Sequence, residues 1–136
     1  KKVFLILECV SDNVKDICLK NSVLISIMFS GDKKISELNN QFRKVNKPTN
    51  VLSFPSAKYL LPNSNTFFLG DIIFSIETIK SEAKSNETSI IDHLTHLFIH
   101  SVLHLLGYDH ETMEKAKIME NLEVRMLNYL GVRNPY

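Results

Sequence analysis

The chain has 136 residues, with 16 Lys and Arg against 15 Asp and Glu and a formal net charge of +1 at neutral pH. That length suits a single domain over residues 1–136 with one ordinary core, and excludes a search for a second. The even charge balance excludes a global basic field, so any nucleic-acid binding must rest on a local patch.

Residues 2–8, apolar without a break from Val3 to Leu7, show the pattern of a strand covered on both faces. The run is too short to cross a membrane and lacks the long apolar core and cleavage site of a signal peptide, so a cytoplasmic location is expected. Cys9 and Cys18 are the only cysteines, and neither belongs to a metal-type pair. They fit reduced thiols in a cytosolic protein, with a disulfide between them left open. Ser11 or Asp12 can cap a short helix that turns Val14, Ile17 and Cys18 inward. Val23, Ile25, Ile27 and Phe29 alternate with Leu24, Ser26 and Met28, the period of a second strand. After Ser30-Gly31-Asp32, the residues Ile35, Leu38 and Phe42 recur at helical spacing to about residue 44. Lys47-Pro48-Thr49 forces an extended entry to a short third strand, Val51-Leu52-Ser53-Phe54, closed by Pro55. Residues 56–66 carry turn chemistry and predict an exposed loop. Phe67 to Phe74 is a fourth strand with Gly70-Asp71 in its middle. Such a glycine marks a bulge or a close backbone approach, and Asp71 is either aimed at a site or an ordinary edge acid. Strand, helix, strand, helix is the opening of an α/β layer.

Ser75 can cap a helix to about Lys84 with Ile76, Ile79 and Ala83 inward, and Ser85-Asn86-Glu87 breaks it. From Thr88 or Ser89, the positions Ile90, Ile91, Leu94, Leu97, Phe98, Val102 and Leu105 are apolar over so wide an arc that this helix must be central. It carries His100 and His104, one turn apart on the same face. Gly107 follows the apolar run, where a helix commonly ends on positive φ, and the chain can then turn back to offer His110. Three neutral imidazoles suit zinc and keep a fourth position for water, which means chemistry instead of a structural clip. The spacing H-x3-H-x2-G-x2-H also resembles the zinc site of metzincin proteases, whose motif begins His-Glu. Here Ser101 takes the glutamate's place, and a serine cannot act as the poised base. Met113, Ile118, Leu122, Val124, Met126 and Leu130 support a last helix ending at Gly131.

The run from His96 through His100, His104, Gly107, Tyr108 and Asp109 to His110 resembles the signature of the YbeY family of bacterial metal-dependent endoribonucleases. Leu38-Asn39 with Arg43, the stretch Lys47 to Pro55, Leu69-Gly70-Asp71-Ile72 and the ending Leu130-Gly131 through Pro135-Tyr136 agree with it in order. Two positions depart from the family pattern: Ser101 stands for its usual glycine and Asn50 for its usual aspartate. The serine is expected to crowd the metal face slightly or to donate to a bound phosphate, and the asparagine to keep the shape while dropping a charge. The resemblance implies a small mixed four-stranded sheet, α/β (α+β) in class, with the histidine helix on one face and a zincin-like site. It implies one zinc ion held by His100, His104 and His110, and a functional role for Arg43. It further implies a single-strand-specific endoribonuclease acting in ribosomal RNA maturation, above all at the 3′ end of the small-subunit RNA, and in ribosome quality control. The partners implied are single-stranded RNA and the ribosome or its small subunit, with no membrane.

Residue roles follow as expectations. Zinc supplies a nucleophile from water without a glutamate, and the Arg43 guanidinium matches phosphate and stabilises the charge building on it. Asp109 is a second catalytic candidate, able to accept the free N–H of its neighbour His110 or to meet substrate. His96 is expected to be a core histidine bonded to backbone instead of a partner of the ligands. Tyr108 is expected to pack, and Lys33, Lys34, Lys44 and Lys47 to be solvated or to rim the site. Two alternatives stay open: a metalloprotease or amidase using Asp71 or Asp109 as base, and a non-catalytic ribosome assembly factor whose zinc stabilises the fold.

Overall fold

The computed structural model describes residues 22–56 and 61–136. The strand expected over 2–8, the helix begun at Ser11 or Asp12, both cysteines and residues 57–60 of the expected loop lie outside the described residues. Period-two patterning becomes strands β1 (Ser22–Ser30), β2 (Val51–Pro55) and β3 (Thr66–Ser75). Period-3.6 patterning becomes helices α1 (Asp32–Arg43), α2 (Ile76–Ser85), α3 (Ile90–Leu105) and α4 (Met113–Tyr129). The sheet is mixed, with order β1-β3-β2: β1 runs parallel to β3 and β2 antiparallel. Three of the four expected strands are therefore present among the described residues, and the fourth, over 2–8, lies outside them.

Gly70 explains how central β3 serves two layers. The register shifts so that Leu24 pairs Phe68 and Ile25 pairs Gly70, which leaves Leu69 as the extra residue of a bulge. Gly70 has φ of 146°, and a Cβ there would lie 2.3 Å from the Phe54 carbonyl oxygen. Bulge and close approach thus coincide at one residue. The bulge resets the alternation, so Leu69 joins Ile72 and Phe74 in the core shared with α3 despite the odd spacing. Ile73 points the other way, into a smaller cluster with Ile35 of α1 and Leu52 of β2.

Helix α3 is the centre of the molecule, as its wide apolar arc predicts. Leu97, Phe98, Ile99, Val102, Leu103 and Leu105 are buried between the sheet and the inner stripe of α4. Fully burying each such side chain is worth about 1.5–3 kcal/mol, enough to make this helix a rigid mount. Hydroxyls cap α2, α3 and α4: Ser75 accepts from Thr78 N–H, Ser89 from Asp92 N–H and Thr112 from Lys115 N–H. The choice between Thr88 and Ser89 falls to Ser89.

The α4 stripe differs from expectation. Met113 and Ile118 are 92% and 50% exposed, and the buried positions are Met119, Glu123, Met126 and Leu127. Met113 opens the first turn, before the helix reaches α3, and Ile118 lies on the face turned from it. A carboxylate consequently occupies a core position. No helix among the described residues is long and apolar enough to cross a membrane.

Candidate metal centre

His100 and His104 project from one face of α3, and the end of that helix delivers the third ring. Leu106 is the last half-helical residue, and Gly107 follows with φ of 100°. Gly107 N–H donates to His104 C=O and Tyr108 N–H to Leu103 C=O, each at 3.0 Å, the paired bonds of a Schellman turn. Tyr108 packs against the core, as expected, and closes the turn. The reversed chain then brings His110 beside its partners, with ring centroids 5.7 Å from His100 and 5.1 Å from His104.

One ring nitrogen of each of His100, His104 and His110 lies within 4.8 Å of the others. The Nε2 atoms of His100 and His104 are 3.0 Å apart. A tetrahedral ion with 2.0–2.1 Å bonds separates its nitrogen ligands by about 3.3 Å, so the set fits one small cation. Burial first, then the neighbouring His100 and His110 rings, holds the His104 imidazole below its ordinary value of 6.5, while a backbone hydrogen bond at Tyr108 opposes them. A ring kept neutral has its lone pair available to a metal.

Glu123, absent from the sequence-based expectations, completes the centre from beneath. Its side chain is 0% exposed. One carboxylate oxygen accepts from His100 Nδ1–H and the other from the Tyr136 hydroxyl. His96 Nε2 lies 3.4 Å from the second oxygen and 3.3 Å from the Tyr136 hydroxyl. Burial alone would raise the Glu123 carboxyl, but hydrogen bonds from His100, His96 and Tyr136 outweigh it and lower the group to about 2. Burial and then the bond to Glu123 raise the Tyr136 phenol above its ordinary range, so it stays a donor. His96 is thus not a backbone-bonded core histidine: its ring nitrogen meets side chains from α4 and the C-terminal segment. Glu123 was legible in one respect, as a charge interrupting the apolar stripe of Met119, Met126 and Leu127. Tyr136 carried no such sign.

A cleft of about 310 Å³ opens above the histidines. Arg43, Thr49, Asn50 and Ser53 line it from the α1 and β2 side, and His96, His100, His104, His110 and Tyr136 from the other. Arg43 and the histidines therefore share one cavity, although 57 residues separate Arg43 from His100. Asp109 does not line it. Its carboxylate accepts from Glu111 N–H at 3.1 Å and Lys115 Nζ at 3.4 Å, and the backbone bond first, then the lysine, lowers its pKa. Asp71 pairs with Phe54 and shares the pleat of Ile73, on the sheet face turned away from α3. Lys33, Lys34, Lys44 and Lys47 are exposed and outside the cleft lining.

Both departures from the family pattern have a local account. Ser101 is buried, and its hydroxyl donates to Leu97 C=O at 2.7 Å, so it neither crowds the metal face nor reaches a phosphate. Asn50 Nδ2 donates to Glu82 Oε1 at 2.9 Å, where an aspartate would set two carboxylates face to face.

The sequence model described as Endoribonuclease YbeY matches residues 4–131. The chain belongs to the YbeY family. Endoribonuclease YbeY of Bartonella henselae is 47% identical over 112 residues, 82% of this chain and 71% of that protein. Endoribonuclease YbeY of Rhizobium etli is 45% identical over 125 residues, 92% of this chain and 73% of that protein. The solution structure of TM1509 from Thermotoga maritima shares the fold, with a TM-score of 0.57 and 24% identity over 95% of this chain and 81% of that one. As a YbeY member the chain is an enzyme, a hydrolase acting on RNA. The family is metal-dependent, and the histidine cluster is where this member could hold the ion.

Proposed function

We propose that this YbeY protein is a zinc-dependent endoribonuclease that cuts single-stranded RNA, acting in the cytoplasm on ribosomal RNA at the 3′ end of the small subunit and in ribosome quality control. The observation that carries the reading is the single cleft shared by Arg43 and three converging imidazole nitrogens.

His100, His104 and His110 would hold the ion. When bound, zinc supplies Lewis acidity, making water a usable nucleophile near neutral pH and drawing charge from a phosphoryl oxygen. Arg43 binds the scissile phosphate with its planar fork and stabilises the charge that grows on it. Thr49 and Ser53, on the same wall as Arg43, offer hydroxyl groups to the sugar and phosphate. Bases of an unpaired strand can splay out to enter such a cleft, whereas stacked duplex bases cannot. The described residues that line it offer hydroxyl, amide, imidazole and guanidinium groups and no Asp or Glu, which favours phosphodiester over peptide chemistry. Asp109 acts at one remove, holding the turn that presents His110.

Purified protein assayed on single-stranded and duplex RNA tests the reading. Cleavage of the single strand should vanish in His104→Ala together with the zinc. In Arg43→Ala it should fall by about 10²–10³-fold with zinc retained, as for a lost transition-state donor. Equal cleavage by wild type and His104→Ala would trace the activity to a contaminating nuclease and contradict the proposal.

A further inference from the structure

We infer that Glu123 is the positioning residue of the metal centre: its buried carboxylate fixes the His100 ring with Nδ1 protonated and Nε2 bare toward the ion, and Tyr136 and His96 lock that carboxylate in place. The inference rests on reading the histidine triad as a metal site.

Geometry carries it. The two ring nitrogens of His100 face different partners, Nδ1 the Glu123 oxygen and Nε2 the Nε2 of His104 at 3.0 Å. A carboxylate only accepts, so the proton sits on Nδ1 and the lone pair on Nε2. A hydrogen bond from a ligand ring to a carboxylate fixes tautomer and orientation and makes the other nitrogen a better donor to metal. Glu123 cannot swing away, because its second oxygen accepts from Tyr136 and lies 3.4 Å from His96 Nε2. No buried polar side-chain atom among the described residues is left without a partner, so the network is fully satisfied. His96, although one turn before His100 on the same face, is thereby committed to the carboxylate and not to the ion.

The test is zinc affinity, by competition with a chromogenic chelator, together with the His100 tautomer read from imidazole ¹⁵N shifts in the metal-free protein. Wild type should show the Nδ1–H tautomer. Glu123→Ala should weaken zinc 10–100-fold and let His100 sample both tautomers. Should that variant fail to fold, Glu123→Gln decides: its amide oxygen still accepts from Nδ1–H, so the tautomer should persist while zinc weakens by a smaller factor. Tyr136→Phe, which keeps Glu123, should preserve the tautomer with a lesser loss of affinity. Unchanged zinc affinity in folded Glu123→Ala or Glu123→Gln, or a wild-type His100 protonated on Nε2, would overturn this inference alone. A wild-type protein that binds no zinc would overturn the proposed function and this inference with it.

Discussion

Ser101 stands one residue after the candidate ligand His100, yet its hydroxyl is spent on Leu97 C=O inside the helix and is buried. Ser101→Gly should therefore leave zinc content and RNA cleavage unchanged. It should lower stability by about 0.5 kcal/mol, the helix-propensity difference between serine and glycine, measured by urea unfolding. A loss of zinc in that variant would show that the serine reaches the metal face after all. The three candidate ligands were readable because a helical period and one glycine fix their relation within the stretch His100 to His110. Glu123 and Tyr136 were not, because their nearness to His100 depends on how α4 and the segment after it dock on α3. Arg43 was singled out through the resemblance, since spacing alone cannot distinguish a cleft arginine from a solvated one at a helix end.

Two helix ends do much of the positioning. Gly107 turns the chain to deliver His110, and Gly131, with φ of 75°, turns it again after α4 toward Tyr136. At Gly131 the same paired bonds recur, from Gly131 N–H to Asn128 C=O and from Val132 N–H to Leu127 C=O. A Cβ on Gly107 would meet nothing within 4 Å, so the cost of Gly107→Ala is conformational, about 1 kcal/mol or somewhat more. Its expected signature is a zinc affinity that falls further than the stability does, because the strained turn carries the candidate ligand His110; comparing titration with unfolding measures both. Where β1 and β3 end, Asp32 joins α1 to the start of α2 by accepting from the Ser75 and Thr78 hydroxyls. Those bonds, Ser75 first, hold its carboxyl below the ordinary 3.8. The folded state therefore binds the proton less readily than the unfolded chain. Its stabilisation is complete above pH 3.8 and is lost as pH falls through the lowered value. Asp32→Asn should flatten that acid limb of the stability profile, and an unchanged limb would assign acid unfolding to other groups.

The whole molecule divides into a part that pattern predicts and a part that packing decides. Alternation located β1, flanking prolines β2, an apolar run with an internal glycine β3, and helical period all four described helices. Strand order, the parallel pairing of β1 with β3 and the burial of a carboxylate in α4 depend on contacts between distant residues, which periodicity does not encode. The result is a rigid core helix that carries two rings, a turn that adds a third, and a sheet-side wall that supplies Arg43.

X-ray absorption at the zinc edge tests that arrangement most directly. The account predicts one ion per chain with three histidine nitrogens at about 2.0–2.1 Å and a light, exchangeable fourth ligand. A fourth protein side chain in the coordination sphere, or the same spectrum from His110→Ala, would contradict it.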